Sequence, residues 1–261
     1  MNLLEVSQLC IGHGRPGMET RLIENIDLSL KNGEALGVVG PSGSGKTLIA
    51  FALAGLLSRP LRIVSGSIHF RGKVLEHDNP RTWWGLRGRE ILMLFQSPAS
   101  ALNSLVPVQD QIAEALEDVK GYRRAKALMQ SIALLESVGL TSDKAKAYPF
   151  QLSGGMRQRV LIALALALEP AVLIADEPAV GLDPIHHAEI LHLLKRLNRE
   201  RRVAMIIITH DLRTASFLTH RVVVLCRGRI VESASVPELL QHPRHPYTQD
   251  MVDSLRFLEG K

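Results

Sequence analysis

The stretch Gly40-Pro41-Ser42-Gly43-Ser44-Gly45-Lys46-Thr47 decides the fold of this 261-residue chain. It matches the complete pattern of a phosphate-binding loop, the P-loop. An apolar run at residues 35–39 precedes it and predicts a strand, and a helical pattern follows from residue 45 to about 57. Glycines let the backbone wrap closely, so that its N–H groups and the start of the helix face phosphate oxygens. The stretch therefore predicts a site for nucleotide phosphates.

Two side chains of this loop have predicted roles of their own. Lys46 is expected to reach the β- and γ-phosphates, and Thr47 to place its hydroxyl on Mg²⁺. The alternative is a glycine-rich turn that simply precedes a helix. Such a turn does not require two glycines, a lysine and a threonine in this register, which favours the phosphate site.

The composition is that of a globular protein with a real core. Hydrophobic residues make up 46% of the chain, charged residues 22%, and the net charge is +5. A mild positive charge permits contact with phosphates or a membrane surface, although a solvated basic surface explains it equally simply. Cys10 and Cys226 stand apart, which excludes a disulfide framework and predicts a reducing, cytosolic setting. The start lacks the pattern of a signal peptide, and Glu169 and Pro170 interrupt the most apolar run, so no membrane helix is expected.

Strand and helix patterns alternate along most of the chain. This alternation predicts an α/β fold of the P-loop NTPase type, with a mostly parallel sheet and an antiparallel β region at the N-terminus. Strand patterns lie at residues 3–9, 22–30, 35–39, 67–70, 91–95, 171–175, 203–208, 221–225 and 229–232. Only helical patterns occur between them at residues 112–119 and 124–138. We expect one domain over residues 1–261, with a helical subdomain at about 97–157 and a C-terminal tail at about 233–261.

Two carboxylates follow the apolar run at residues 172–175. A strand this apolar is buried on both faces, and ligands bind at the C-terminal edge of such sheets. Asp176 is expected to hold Mg²⁺, and Glu177 to polarise the water that attacks the γ-phosphate. A turn with two solvated acids is the alternative. The P-loop upstream favours the catalytic interpretation.

The segment Leu152-Ser153-Gly154-Gly155-Met156-Arg157-Gln158-Arg159 resembles the signature of ATP-binding cassette proteins. Ser153 could also act simply as a helix N-cap, which is compatible, because the N-terminus of that helix would face a phosphate. Three further segments resemble cassette elements in the expected order. Gln96 resembles the Q-loop glutamine, Gly181-Leu182-Asp183 the D-loop, and His210 the switch histidine.

The resemblance implies an ATP- and Mg²⁺-dependent ATPase that works as a head-to-tail dimer of cassettes. It assigns catalysis to Glu177, His210 and Gln96, and Mg²⁺ binding to Thr47, Gln96 and Asp176. The remaining implied contacts are with ATP, made by Gly40, Pro41, Ser42, Gly43, Ser44, Gly45, Lys46, Thr47, Ser153, Gly154, Gly155, Gln158, Asp183 and His13. Each ATP would lie between one P-loop and the signature of the other cassette.

Three positions depart from the usual cassette pattern. Residues 1–34 contain no aromatic residue to stack on adenine, and alignment by strand pattern puts His13 near that position. Pro41 replaces a more common acidic or polar residue, at a position that offers backbone. Gly181 replaces a usual alanine of the D-loop, which could soften coupling between the two sites. None of these changes removes a catalytic group, so an active subunit is expected.

Two segments resemble the ATPases of peptide and nickel importers in particular. They are Leu94-Phe95-Gln96-Ser97-Pro98 with Ala101-Leu102-Asn103, and His242-Pro243 with His245-Pro246-Tyr247-Thr248. The chain ends at Lys261 without a cysteine-bearing extension, as in the ATPases for nickel and metal–metallophore complexes, which favours nickel or a metal chelate over a short peptide as cargo. The implied partners are a second, different cassette ATPase, membrane permease subunits and an extracytoplasmic substrate-binding protein. The implied location is the cytoplasmic face of the membrane.

Two other functions compete with transport. A cassette protein acting on DNA or ribosomes usually has two cassettes, long coiled coils or zinc hooks, whereas this sequence has one cassette and no cysteine pairs. Aromatic residues are only 4% of the chain, and no basic stripe contains them, so no nucleic-acid partner is expected. A regulatory cassette without catalysis would not need the combination of Lys46, Asp176, Glu177 and His210.

Overall fold

The computed structural model of the chain describes residues 2–15 and 18–258, except for the side chains of Ala99 and Leu258. The strands are β1 (Asn2–Arg15), β2 (Met18–Lys31), β3 (Ala35–Val39), β4 (Arg62–Phe70), β5 (Lys73–Val74), β6 (Ile91–Leu94), β7 (Val172–Asp176), β8 (Ala204–Thr209), β9 (Arg221–Cys226) and β10 (Arg229–Ser235). The helices are α1 (Lys46–Leu53), α2 (Pro80–Trp83), α3 (Pro98–Ala101), α4 (Val108–Lys120), α5 (Arg124–Ser137), α6 (Ser142–Ala145), α7 (Gly154–Leu168), α8 (Pro184–Arg201), α9 (Leu212–Leu218), α10 (Val236–Gln241) and α11 (Pro246–Leu258), with a 3-10 turn at Pro149–Gln151.

The described residues form two compact units. The first contains those up to Arg87 and from Ala204 onward, and the second contains Gly88–Val203. One sheet of the first unit is antiparallel, in the order β2-β1-β4-β5. Leu9 and Ile26 pair across its central ladder and are both fully buried, which gives this sheet an apolar face.

The other sheet of the first unit surrounds strand β3. Strand β3 pairs in parallel with β8 on one side and with β9 on the other, and β10 adds an antiparallel edge. Every residue of β3 and of β8 is buried, because both strands are apolar along their whole length. The second unit contributes the parallel pair β6 and β7 together with helices α3–α8. The predicted α/β fold with an N-terminal antiparallel region and mostly parallel pairing is confirmed.

Helix α1 is shorter than its sequence pattern indicates. The pattern continues to about residue 57, but the helix ends at Leu53. Gly55 has a φ of +67°, a left-handed conformation that suits glycine, and a Cβ at this position would overlap the Trp83 ring. The chain therefore turns away two residues after α1 so that Trp83 can pack against its end.

The C-terminal elements pack into the core of the first unit. Val252 and Leu255 of α11 share one buried cluster with Leu212 of α9 and with Val39, the last residue before the P-loop. The loop before α11 is fixed by Glu232, whose carboxylate accepts from the backbone N–H groups of Arg244 and His245, each at 2.9 Å. Burial alone would raise the pKa of Glu232, but these donated hydrogen bonds outweigh it and hold the pKa below its ordinary value.

We predict that Leu255→Ala lowers the free energy of unfolding by about 2–4 kcal/mol, because it removes a buried side chain and leaves a cavity. Leu255 is only 8% exposed, whereas Phe257, two residues later, is 84% exposed. Phe257→Ala is the matched control and should change stability by less than about 0.5 kcal/mol. Urea titrations of the two variants and the parent measure both effects. Equal midpoints for Leu255→Ala and Phe257→Ala would contradict the packing of α11 described above.

Candidate functional site

The P-loop connects β3 to α1 and is tightly packed within the first unit. A Cβ on Gly40 would overlap the backbone carbonyl of Leu225, so that position accepts only glycine. The Lys46 ammonium is buried and donates to the carbonyl oxygens of Gly40 and Pro41, both at 2.9 Å. These bonds hold the lysine across the loop, the place from which it can reach a phosphate. The hydroxyl of Ser44 is buried and makes no hydrogen bond.

His210 leaves the same edge of the sheet as the P-loop. Strands β3 and β8 are parallel neighbours, and Val39 pairs with Thr209. The P-loop and His210 directly follow those two residues, so the register brings them to neighbouring positions at the C-terminal ends of the strands. Asp211 then caps α9 by accepting from the backbone N–H groups of Arg213 at 3.0 Å and Thr214 at 3.2 Å. This cap fixes the turn that presents His210 to solvent.

His13 lies on the long ladder between β1 and β2, where it pairs with Thr20. Two residues earlier, Ile11 pairs with Ile23. The Ile23 side chain occupies the space that a Cβ on Gly45 would need, which places this ladder against the end of the P-loop. His13 is half-buried and follows that contact closely along the strand.

In the second unit, Gln96 and the two carboxylates follow neighbouring strands. Strands β6 and β7 are parallel, with Leu94 paired to Ala175, so Gln96 and Asp176 emerge at the same edge. Asp176 is 3% exposed. Glu177 has a φ of +47°, an uncommon left-handed conformation for a residue with a side chain. Strained backbone of this kind persists where the surroundings enforce it, often at functional positions.

The signature segment begins helix α7 of the second unit. Ser153 is the N-cap and accepts from the backbone N–H of Met156 at 3.3 Å. The turn lies against the start of α8, because a Cβ on Gly155 would be 3.7 Å from the His186 ring. Gln158 is buried, and its side-chain nitrogen makes no hydrogen bond.

Asp183 is the N-cap of α8 and accepts from the backbone N–H groups of Ile185 and His186. The His186 ring also bonds the Asp183 carboxylate, and this side-chain hydrogen bond is the main reason why the pKa of Asp183 is lowered. Sequence analysis assigned His186 to a solvated helix face. The spacing Asp183–His186, one helical turn, was the available signal for this contact.

The predicted site residues therefore fall into two groups. The first unit contains the P-loop, His13 and His210, and the second contains Gln96, the signature, Asp176, Glu177 and Asp183. Within each unit, parallel strand pairing brings predicted residues to one sheet edge. That edge is where open α/β sheets bind ligands.

Comparisons with known proteins identify relatives along the whole chain. The family model described as ABC transporter matches residues 23–180. The dipeptide transport ATP-binding protein DppD of Escherichia coli (strain K12) is 37% identical over 264 residues, covering 100% of this chain and 81% of the relative. The oligopeptide transport ATP-binding protein AppD of Bacillus subtilis (strain 168) is 37% identical over 262 residues, covering 99% of this chain and 80% of the relative.

Solved structures with the same fold include two of cassette proteins. The dimeric post-hydrolysis state of the ATP-binding cassette MJ0796, bound to ADP and Pi, has a TM-score of 0.78 and 26% identity, covering 89% of this chain and 98% of that chain. The cbiO1 protein from Clostridium perfringens, part of the ABC transporter complex cbiONQ, has a TM-score of 0.79 and 26% identity, covering 98% of this chain and 95% of that chain.

We predict that Gly40→Ala strongly weakens ATP binding, because the added Cβ would displace the loop from the Leu225 carbonyl. Titration with a fluorescent ATP analogue measures the effect, for which we expect about tenfold or more. Gly43→Ala is the control: Gly43 also lies in the loop, at a φ of +77°, but a Cβ there has no neighbour within 4 Å. Weaker binding by Gly43→Ala than by Gly40→Ala would show that backbone conformation, rather than this packing, limits the loop.

Proposed function

Because this chain belongs to the ATP-binding cassette transporter family, we propose that it is the ATP-hydrolysing subunit of an importer of short peptides. The observation that carries the proposal is the alignment over 100% of this chain with a dipeptide transport ATP-binding protein. An oligopeptide transport ATP-binding protein of Haemophilus influenzae is also 38% identical over 260 residues. Nickel or a metal chelate, the cargo favoured by sequence analysis, has no support in these names and is the second candidate.

We propose that the P-loop binds the phosphates of ATP, with Lys46 at the β- and γ-phosphates. Thr47, Gln96 and Asp176 together offer a hydroxyl, an amide oxygen and a carboxylate. Oxygen ligands of this kind are those that Mg²⁺ prefers, so the donor set fits the ion. The ion, when bound, would neutralise charge on the phosphate oxygens.

Glu177 and His210 are the residues to which we assign the chemistry. Glu177 follows the buried carboxylate of Asp176 and would orient and polarise the attacking water. His210 would contact the γ-phosphate and so sense whether it is present. Loss of that contact after hydrolysis supplies the differential affinity that a two-state switch requires.

Ser153, Gly154, Gly155, Gln158 and Asp183 are proposed to act on an ATP held by a second cassette. Support comes from the exposed Ser153 cap, whose helix N-terminus suits an anion, and from the dimeric cassette structure bound to ADP and Pi. The sequence-based prediction of a different partner cassette stays a prediction. Mass measurement of the ATP-bound protein with Glu177→Gln tests it: a dimer formed by this chain alone would contradict it.

We predict that Glu177→Gln keeps ATP binding but lowers turnover by about 10²–10⁴-fold, the usual contribution of one positioned base. Lys46→Ala should instead weaken binding itself, because it removes the cation that holds the phosphates. Phosphate release and nucleotide titration separate the two effects. The exposed Glu200 on α8 provides the matched control, since Glu200→Gln removes an equal charge without affecting turnover. Parent-like hydrolysis by Glu177→Gln would remove Glu177 from the mechanism.

The loop between Gln96 and α4 is proposed to contact a membrane permease. Leu105 in this loop is 84% exposed. The loop is nevertheless rigid, because the Gln111 side chain accepts from the Asn103 backbone N–H at 3.0 Å and donates to the carbonyls of Asn103 at 2.9 Å and Val106 at 2.7 Å. A rigid loop that presents a large apolar side chain to solvent is typical of a docking surface. Among the described residues, no helix is long and apolar enough to cross a membrane. This supports the proposed peripheral location on the cytoplasmic face, next to the permease and, across the membrane, a substrate-binding protein.

We predict that Leu105→Ser weakens association with the permease while the ATPase rate of the isolated subunit is unchanged. The reason is that Leu105 packs against nothing in its own chain that the substitution would disturb. Met129→Ser on α5, at a side chain that is 68% exposed, is the control and should leave association intact. Co-purification of tagged subunits with membranes gives the readout. Equal association of the two variants would place the permease contact elsewhere.

Uptake by a strain that lacks this protein tests the proposed cargo. A labelled dipeptide, labelled nickel and nickel with a chelator are compared in the deletion strain and in the complemented strain. Selective loss of dipeptide uptake supports the proposal. Selective loss of nickel uptake, with or without chelator, replaces the cargo but keeps the importer, and loss of neither favours the alternative of a cassette acting on DNA or ribosomes.

A further inference from the structure

A cavity of about 1030 Å³ lies in the first unit, away from the P-loop residues. Its wall combines the segment after α1 with Gly14 of β1 and with His77 and Asp78, which follow β5. Helix α1 begins at the P-loop and has eight residues, so its two ends are about 12 Å apart at 1.5 Å per residue. Gly55, beyond the far end of the helix, lines the cavity.

Two buried nitrogen atoms of the cavity wall make no hydrogen bond. They are Nε of Arg62 and Nε2 of His77. Leaving such a group unpaired costs about 1–3 kcal/mol, so native proteins rarely leave one without a reason, such as a ligand or a bound water. Two in the wall of one cavity are therefore a specific signal.

The same property identifies ligand-binding motifs elsewhere in this chain. Among the described residues, six buried side-chain atoms lack a hydrogen-bond partner. One is the Ser44 hydroxyl in the P-loop, and another is the Gln158 nitrogen in the signature helix. Two more are those of Arg62 and His77. Unpaired buried atoms thus occur at the two nucleotide-binding motifs and again at this cavity.

The charges of the wall favour an anion. Arg59 and Arg62 contribute two guanidinium groups against the single carboxylate of Asp78. Arg62 Nη2 is also 3.1 Å from the Glu19 carboxylate, which holds the guanidinium in place while Nε stays unpaired. Burial lowers the pKa of His77 to about 4, against a smaller opposite effect of Asp78, so its ring is neutral at physiological pH. A neutral ring can still donate one hydrogen bond.

The rest of the wall is apolar, with Leu57, Leu61 and Ile63 among its residues. The cavity volume is that of a site for a small organic molecule, larger than an inorganic ion requires. Three donors on different residues match the three terminal oxygens of a phosphate monoester better than the two of a carboxylate. The apolar residues would then cover the organic part.

We propose that this cavity is a second binding site, separate from the P-loop, for a phosphate monoester with an apolar body. Arg59, Arg62 and His77 bind the phosphate oxygens, and the leucine and isoleucine side chains contact the organic group. The same chemistry is offered by a soluble phosphate ester and by the headgroup of phosphatidic acid. The site makes the ATPase subunit responsive to a phosphorylated compound other than its nucleotide.

Calorimetric titration of phenyl phosphate into the full chain saturated with ADP tests the proposal. ADP keeps the P-loop occupied, so the remaining binding reports on the cavity alone. We expect saturable binding that is about tenfold weaker in Arg59→Gln and in His77→Leu, since each variant loses one hydrogen bond to a charged group. Arg59 is exposed, so its substitution does not threaten folding. His69→Leu, at a half-buried histidine outside the cavity wall, is the matched control and should bind like the parent.

Vesicles distinguish the two sources of the ligand. Co-sedimentation with phosphatidic acid vesicles, but not with phosphatidylcholine vesicles, that is lost in Arg59→Gln assigns the site to a lipid headgroup. Binding of phenyl phosphate without vesicle binding assigns it to a soluble ester. The proposal is overturned if neither binds, if Arg59→Gln and His77→Leu bind like the parent, or if ADP competes with phenyl phosphate. The last result would make the cavity part of the nucleotide site, and none of these results depends on the cargo proposed above.

Discussion

Strand β3 has a parallel hydrogen-bonded neighbour on each side, and this pairing determines where the chemistry of the first unit lies. Val39, its last residue, is opposite Thr209 of β8 and Val224 of β9. The three chains therefore leave the sheet at one level, and Gly40 comes so close to the next residue of β9, Leu225, that only a hydrogen fits between them. A P-loop needs this fixed starting point because its backbone N–H groups must keep their direction without a ligand.

The local parts of this site could be predicted from the sequence because their causes are local. The glycine pattern of the P-loop, the apolar strands β3 and β7 and the Ser153 cap each depend on a few neighbouring residues. The order of strands then follows from general rules for α/β sheets, which explains why Gln96 and Asp176 were expected in related positions. The family resemblance supplied roles that spacing alone does not give.

Other features depend on contacts between distant segments and could not be predicted. Strand β1 continues to Arg15 through Gly12 and Gly14, two residues with low strand propensity, because β2 pairs with it over that length. Helix α1 ends early because Trp83, thirty positions from Leu53, fills the space beside Gly55. The cavity next to that turn is invisible in the sequence for the same reason, since its wall joins residues from Gly14 to Asp78.

The packing of α11 gives the C-terminus a place in the working cycle. Leu212 of α9 shares its buried cluster with Leu255, and Leu212 is two residues from His210. Buried side chains packed at such density do not slide past one another freely, so a shift of His210 by more than a fraction of an ångström would have to carry α11 along or open a void. The last helix is thus a mechanical load on the histidine. Whatever follows Leu258, in this chain or in a fusion to it, adds to the inertia and friction against which that histidine moves.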